Sequence, residues 1–184
     1  MNNKKISTEQ KELIFVFVLF SGMTPLDIIG PATLLQNQGL NIEYVWHDKQ
    51  PVATEINCVT MTFDELNVEI YYVLLTLIIL FLHLKILKWI HKVGQNAKYI
   101  TSVCNVSMFL ASINLLDNYQ SSTHWSYNEF LAQLGATVSN QRVTIDRNRI
   151  TDGGVTAGID FRLYLLSMLK SETGAKLMQL IYPI

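Results

Sequence analysis

Cysteine is scarce in this 184-residue chain, which holds only Cys58 and Cys104. Two thiols cannot make the disulfide framework of a small secreted domain. Charge is scarce as well, at 16% of residues, and the net charge of -1 provides no global field to hold nucleic acid or an anionic membrane surface. The basic residues are scattered outside the region from Lys85 to Lys92, so no basic stripe forms. No appended helix-turn-helix module is expected. His47, His83, His91 and the two cysteines match no metal-ligand spacing, and the GxGxxG and P-loop patterns of nucleotide sites are missing. No metal, no cofactor and no nucleic-acid partner is therefore expected.

Apolar residues are abundant, at 49% with a mean hydropathy of +0.23. A chain of this length can bury one continuous core, so residues 1 to 184 are expected to form a single domain. "LIFVFVLF" (13–20) after "MNNKKISTEQKE" loosely imitates a signal peptide. The following "SGMTPLD" has no small-x-small cleavage site, so the run reads as a buried strand and the expected location is the cytoplasm. A second run, "VEIYYVLLTLIILFLHL" (68–84), carries only Glu69 as a formal charge and is closed by His83, Lys85 and Lys88. A membrane span needs roughly 20 apolar residues; a buried strand running into a buried helix fits this run better, and no membrane association is expected.

Strand and helix signals alternate along the chain. Thr24-Pro25 is an N-cap followed by a first-turn proline, and "LDIIGPATLLQNQG" then reads as a helix ending near Gly39, with Pro31 implying a kink or a later start. "NIEYVWHD" (41–48) alternates as a strand does, and residues 52 to 63 read as a strand or short hairpin. "KILKWIHKVGQ" (85–95) has helical spacing and closes at Gly94. "KYITSV" reads as strand, "NVSMFLASINLL" as helix, "SSTHW" as strand end and loop, and "SYNEFLAQLG" as helix. "QRVTIDRNRIT" predicts a hairpin turning at Arg147-Asn148, and "GGVTAGIDFRLYLLSMLKS" a glycine-rich loop feeding a long helix. Such alternation with short connections predicts an α/β fold, a doubly wound, mostly parallel sheet with helices on both faces.

In such a sheet, ligands bind beyond the carboxyl ends of the strands. Cys104 stands there, between "YITSV" and "NVSMFLAS". A thiol on a sharp strand-to-helix turn is lifted clear of the sheet, the next backbone N–H can serve an oxyanion, and a helix N-terminus lowers a thiol pKa. A free cysteine also serves as a small buried hydrophobe, the reading given to Cys58. Asp27, just inside the first helix among Leu26, Ile28 and Ile29, complements the helix dipole or, beside a thiol in an apolar pocket, shuttles a proton. His124 beside Trp125 reads as a hydrogen-bonded structural residue or as a base. The loop "TDGGVTAGID" offers a helix N-terminus to a phosphate, without the spacing of a nucleotide site.

"TPLDIIGP", "KYITSVC", "STHW" and "ITDGGVTAGID" occur in the order and spacing of the ThiJ/PfpI superfamily, a branch of the class I glutamine amidotransferase-like fold. The chain resembles its isonitrile hydratase branch over roughly residues 13 to 175. The resemblance implies a flavodoxin-like sandwich, a homodimer, a small-molecule substrate and a cysteine on a nucleophile elbow. It implies Cys104 as nucleophile on an isonitrile carbon and Asp27 as the proton carrier, with water completing an N-substituted formamide. Asn105 would offer its backbone N–H, and His124 and Trp125 would line or support the pocket. Three departures stand out. Val106 replaces the glycine that follows the family's elbow and is expected to crowd the turn. Residues 68 to 84 have no Pro-Gly-Gly turn. Relatives also continue beyond "LMQLIYPI" with a proline-containing tail expected to cover an edge. The alternatives are a non-enzymatic or redox-responsive member, a decayed copy among them, and an amidase- or peptidase-like hydrolase.

Overall fold

The computed structural model describes residues 14–46, 50–54, 56, 60–61, 84–154 and 156–182. In chain order these form β1 (Ile14–Val18), α1 (Pro25–Asn37), β2 (Asn41–Val45), β3 (Val52–Ala53), β4 (Thr60–Met61), α2 (Leu84–Gly94) and β5 (Ile100–Ser102). There follow α3 (Ser107–Ser112), β6 (Gln120–Ser121), α4 (Asn128–Gln133), β7 (Thr137–Val138), β8 (Val143–Asp146), β9 (Arg149–Asp152), α5 (Ala157–Leu169) and α6 (Glu172–Ile181).

The alternation of β1 divides the interior in two. Phe15 and Phe17 point to one side and Val16 and Val18 to the other, as the two-residue period of a strand requires; all four are buried. A strand buried on both faces needs cover on both. On the phenylalanine side lie Ile28, Ala32 and Leu35 of α1, Phe161 and Leu165 of α5 and Met178 of α6. On the valine side lie Ile90 and Val93 of α2, Leu110 of α3 and Leu131 of α4. Helices thus cover both faces of an α/β sheet. Parallel pairing holds for β1 with β2, β5 with β9 and β6 with β7, whereas β8 with β9 and β3 with β4 are antiparallel.

The β8–β9 hairpin turns at Arg147-Asn148 as expected, with Arg147 at φ +55°. Helix α1 starts at Pro25 and runs through Pro31, so the proline marks no later start. Gly39 closes it at φ +67°. Helix α3 stops at Ser112, four residues short of the expected Leu116, because Asn114 takes the left-handed conformation (φ +60°) and the Leu115 N–H turns back to the Leu110 carbonyl at 2.8 Å. The expected long helix after the glycine-rich loop is α5, ending at Leu169, and a further helix follows it: Ser171 caps α6 by accepting from the Gly174 N–H at 3.0 Å. Residues 62 to 83, with the apolar run and the missing glycine turn, and Cys58 lie outside the described residues. Among the described residues, no helix is long and apolar enough to cross a membrane.

The strands β5 and β9 lie side by side, Ile100 to Ser102 against Arg149 to Thr151. Their carboxyl ends therefore emerge together, and the segments 103–106 and 152–154 leave the sheet as neighbours. That adjacency places everything described next.

Candidate active site

Cys104 leaves β5 with φ +62°, a conformation that costs an L-residue roughly 1–2 kcal/mol. The surroundings hold it there. The Cys104 backbone N–H donates to Asp152 Oδ1 at 3.1 Å, and its carbonyl accepts from Thr123 Oγ1 at 3.2 Å and Ser107 Oγ at 3.4 Å. The chain then makes one 3-10 turn, Cys104–Val106, and enters α3. The Asn105 backbone N–H bonds to the Cys104 sulfur and lowers its pKa, whereas the sequence reading gives that N–H to an oxyanion. Val106 does not crowd the elbow. It takes right-handed φ and ψ of -66° and -30° and turns its side chain, fully buried, into the core with Leu110 and Ile100.

Asp27 lies in the first turn of α1, 2% exposed, and its carboxylate is near enough to raise the Cys104 pKa. The helix and the elbow thus bring together the two residues singled out from sequence. A third group was missed. Asp152, at the end of β9, is fully buried; its Oδ1 accepts from both the Cys104 and the Gly154 N–H groups, the latter at 2.9 Å. Its Oδ2 is buried without a hydrogen-bond partner. The sequence "TDGG" read as a glycine loop offered to a phosphate, and the structure corrects this: the Gly154 N–H goes to the loop's own carboxylate, which would repel an anion, and the Gly153 N–H to the Arg142 carbonyl at 2.9 Å. An acid immediately before a glycine pair at a strand end was the available signal.

A buried guanidinium accompanies the carboxylates. Arg162 on α5 is 6% exposed with Nε unpartnered, and its Nη1 fills the space a side chain at Gly30 would take, 1.9 Å from where a Cβ would stand. Burial lowers its pKa, while the charges of Asp152, Asp27 and Asp160 raise it. Gly30, one turn beyond Asp27 on α1, is therefore a seat for an arginine.

The electrostatics run against the expected low thiol pKa. Burial pushes the Cys104 thiol up, the Asn105 N–H pulls it down, and the charges of Asp27 and Asp152 raise it further, to about 11. Burial also raises Asp152 to about 7, against the lowering effect of the two N–H donors and Arg142; Asp27 adds to the rise. Charge in an apolar interior is the common cause.

His124 and Trp125 sit beside the site rather than in it. His124 Nδ1 pairs with Ser126 Oγ at 2.7 Å and accepts from the Ser126 N–H, capping the turn Trp125–Tyr127. Trp125 is 77% exposed, its ring tilted by 36° against that of His124 with centres 5.5 Å apart. Both line an open cleft of about 450 Å³ whose wall includes Thr123, Arg142, Gly153 and Gly154.

Comparison with known proteins places the chain in a family. The family model for the DJ-1/PfpI family matches residues 14–168. Isonitrile hydratase of Pseudomonas putida is 34% identical over 177 residues, covering 89% of this chain and 75% of that protein. A THiJ/PfpI family protein from Pseudomonas syringae superposes with a TM-score of 0.83 at 29% identity, over 92% of this chain and 74% of that one. Schizosaccharomyces pombe DJ-1 shares the fold, with a TM-score of 0.77 at 16% identity over 94% of this chain and all of its own. With its α/β flavodoxin-like architecture and a cysteine at the elbow after β5, the chain belongs to the DJ-1/PfpI family.

Proposed function

We propose that the protein is a cysteine-dependent hydratase that adds water to a small isonitrile and releases an N-substituted formamide. The observation that carries the reading is a buried Asp27 carboxylate beside a thiol at a positive-φ elbow, in a chain 34% identical to an isonitrile hydratase.

The raised thiol pKa sets the proton economy. A thiolate formed by losing its proton to bulk water would face two carboxylates. A thiolate formed by passing the proton to Asp27 faces one fewer, because Asp27 is then neutral and the net charge of the site is unchanged. In this reading Cys104 sulfur bonds to the terminal carbon of the isonitrile, and the proton held by Asp27 goes to the same carbon, giving a thioimidate. Asp27, again a carboxylate, takes a proton from water as the hydroxide adds to that carbon and hands it to the nitrogen. Collapse of the tetrahedral adduct breaks the carbon–sulfur bond, the adduct's hydroxyl proton passes to the sulfur, and the product is the formamide with the thiol restored. The Asn105 N–H, directed at the sulfur, stabilises the thiolate at each end of the cycle.

The test is formamide production from a small alkyl isonitrile by the purified protein. The reading requires turnover that disappears in Cys104→Ser and in Asp27→Asn while both variants keep the parent's melting behaviour. Unchanged turnover in both variants sinks it.

A second reading has its own observation. A thiol held near 11 is protonated at neutral pH, which suits a family member that binds a small molecule without turning it over. Folded protein with a bound ligand and no turnover would establish that case. The same protonated thiol disfavours the redox-responsive version, since the thiolate is the form that oxidises.

A further inference from the structure

The strap across the elbow is more than a backbone clamp. Two N–H groups, of Cys104 and Gly154, converge on one oxygen of Asp152 at 3.1 and 2.9 Å. The amide oxygen of an asparagine would accept both bonds equally well, without the cost of burying a charge. The chain carries a carboxylate there instead, fully buried, with its second oxygen unpartnered. Gly158 on α5 leaves room beside that oxygen, since a Cβ there would stand 3.8 Å from it. That charge costs stability and is unnecessary for the strap; it acts on the buried Arg162 guanidinium and on the sulfur of the residue it holds.

We propose that Asp152 is a positioning residue for Cys104: its carboxylate straps the elbow through the backbone N–H, and its negative charge keeps the thiol protonated until Asp152 itself takes a proton. The inference rests on Cys104 being the reacting group of the proposed hydratase. The groups around the pair, among the described residues, are Asp27 from α1, Arg162 from α5 and Arg142 from the segment before β8. Arg142 is tied at the surface to Asp160 at 2.8 Å, and His124 to Ser126. Arg162 and Asp27 thus set the background field, and Asp152 is the acid bonded to the elbow itself. Its pKa of about 7 puts the change in a measurable range.

The experiment follows Cys104 alkylation by iodoacetamide against pH in a Cys58→Ala background, with Cys104→Ala as the blank. In the parent, the logarithm of the rate climbs with pH, flattens near pH 7 as Asp152 ionises and restrains the thiol, and climbs again above it. In Asp152→Asn the shoulder disappears and the rate at pH 8 rises roughly three- to tenfold, half to one pKa unit of relief, with the fold kept by the retained oxygen acceptor. A shoulder that persists in Asp152→Asn, or a rate at pH 8 equal to or below the parent's, overturns the proposal. Should Asp152→Asn fail to fold, the parent and Asp27→Asn decide. Removal of the Asp27 charge must move the shoulder to lower pH without abolishing it, and a parent profile with no shoulder overturns the proposal. Turnover that survives Cys104→Ser would defeat the hydratase reading alone, leaving the alkylation profile to judge Asp152.

Discussion

The hairpin β8–β9 has two ends, and each carries a carboxylate that accepts backbone N–H groups next to a non-glycine residue of positive φ. At the turn, Asp146 accepts from the Gln120 N–H at 2.8 Å and pairs with Arg147, whose φ is +55° and whose guanidinium lies 3.6 Å over the Tyr119 ring. Those bonds, the Arg147 side chain foremost, lower the Asp146 pKa. At the other end Asp152 accepts from two N–H groups beside Cys104 at φ +62°, and its pKa rises to about 7. Both carboxylates accept from the backbone; the remaining partners and the solvent differ. At the turn water and an arginine share the charge, whereas beyond β9 the donors are backbone N–H groups alone and burial outweighs them. Strain at the exposed end makes a hairpin, and strain at the buried end presents a thiol.

The largest expected effect separates the ends outright. Asp27→Asn at the buried end should lower isonitrile turnover by roughly 10²–10⁴-fold, the range for a lost general acid–base group, while Asp146→Asn leaves turnover at the parental level. Equal losses in the two variants would erase the distinction between the ends.

Next comes stability against pH. Asp152 binds its proton more tightly folded than unfolded, so the native state holds the extra proton between the ordinary carboxylate range and about 7. The parent therefore loses stability as pH rises through that window, and the loss is complete above it. Asp152→Asn removes the dependence. Its stability relative to the parent, measured by denaturant unfolding, should grow by on the order of a few kcal/mol between pH 4.5 and pH 8. Asp146 runs the other way: its contribution is present at neutral pH and fades as pH falls.

A finer cut uses Arg162→Met, which keeps the side-chain volume and removes the cation from Gly30's seat. The alkylation shoulder assigned to Asp152 should move to higher pH, because the carboxylate loses a favourable neighbour. A shoulder at the parental pH would place Arg162 outside the field of the site. The smallest effect belongs to the turn, where Asp146→Asn should reduce the melting temperature slightly at low salt and not at all at high salt, as for solvent-exposed pairs.

Much of the site was legible because some residue types have few uses at a strand end. Cys104 between an apolar strand and an apolar helix, and Asp27 after Thr24-Pro25, stood out by position. Asp152 did not, although it sits in "TDGG" beside the same sheet edge. A carboxylate before glycines reads as loop chemistry until the parallel pairing of β5 with β9 brings it under residue 104, 48 positions away. The thiol's pKa was misread for a related reason: the sequence places a helix after Cys104, but the burial of the sulfur and the charges around it are set by packing. Val106 was expected to crowd the elbow because its backbone conformation and direction were unknown; in the fold it belongs to the core.

The sequence by itself determined the α/β alternation, the hairpin turn at Arg147-Asn148 and the candidate pair Cys104 and Asp27, since periodicity, caps and turn residues act over a few positions. The tertiary structure alone decided that Asp152 straps the elbow, that Arg162 lies in the seat left by Gly30, and that burial outweighs the N–H donors on both the thiol and the acid. Hydrogen bonding to a carboxylate can be local, but the dielectric around it depends on every chain segment that excludes water from it.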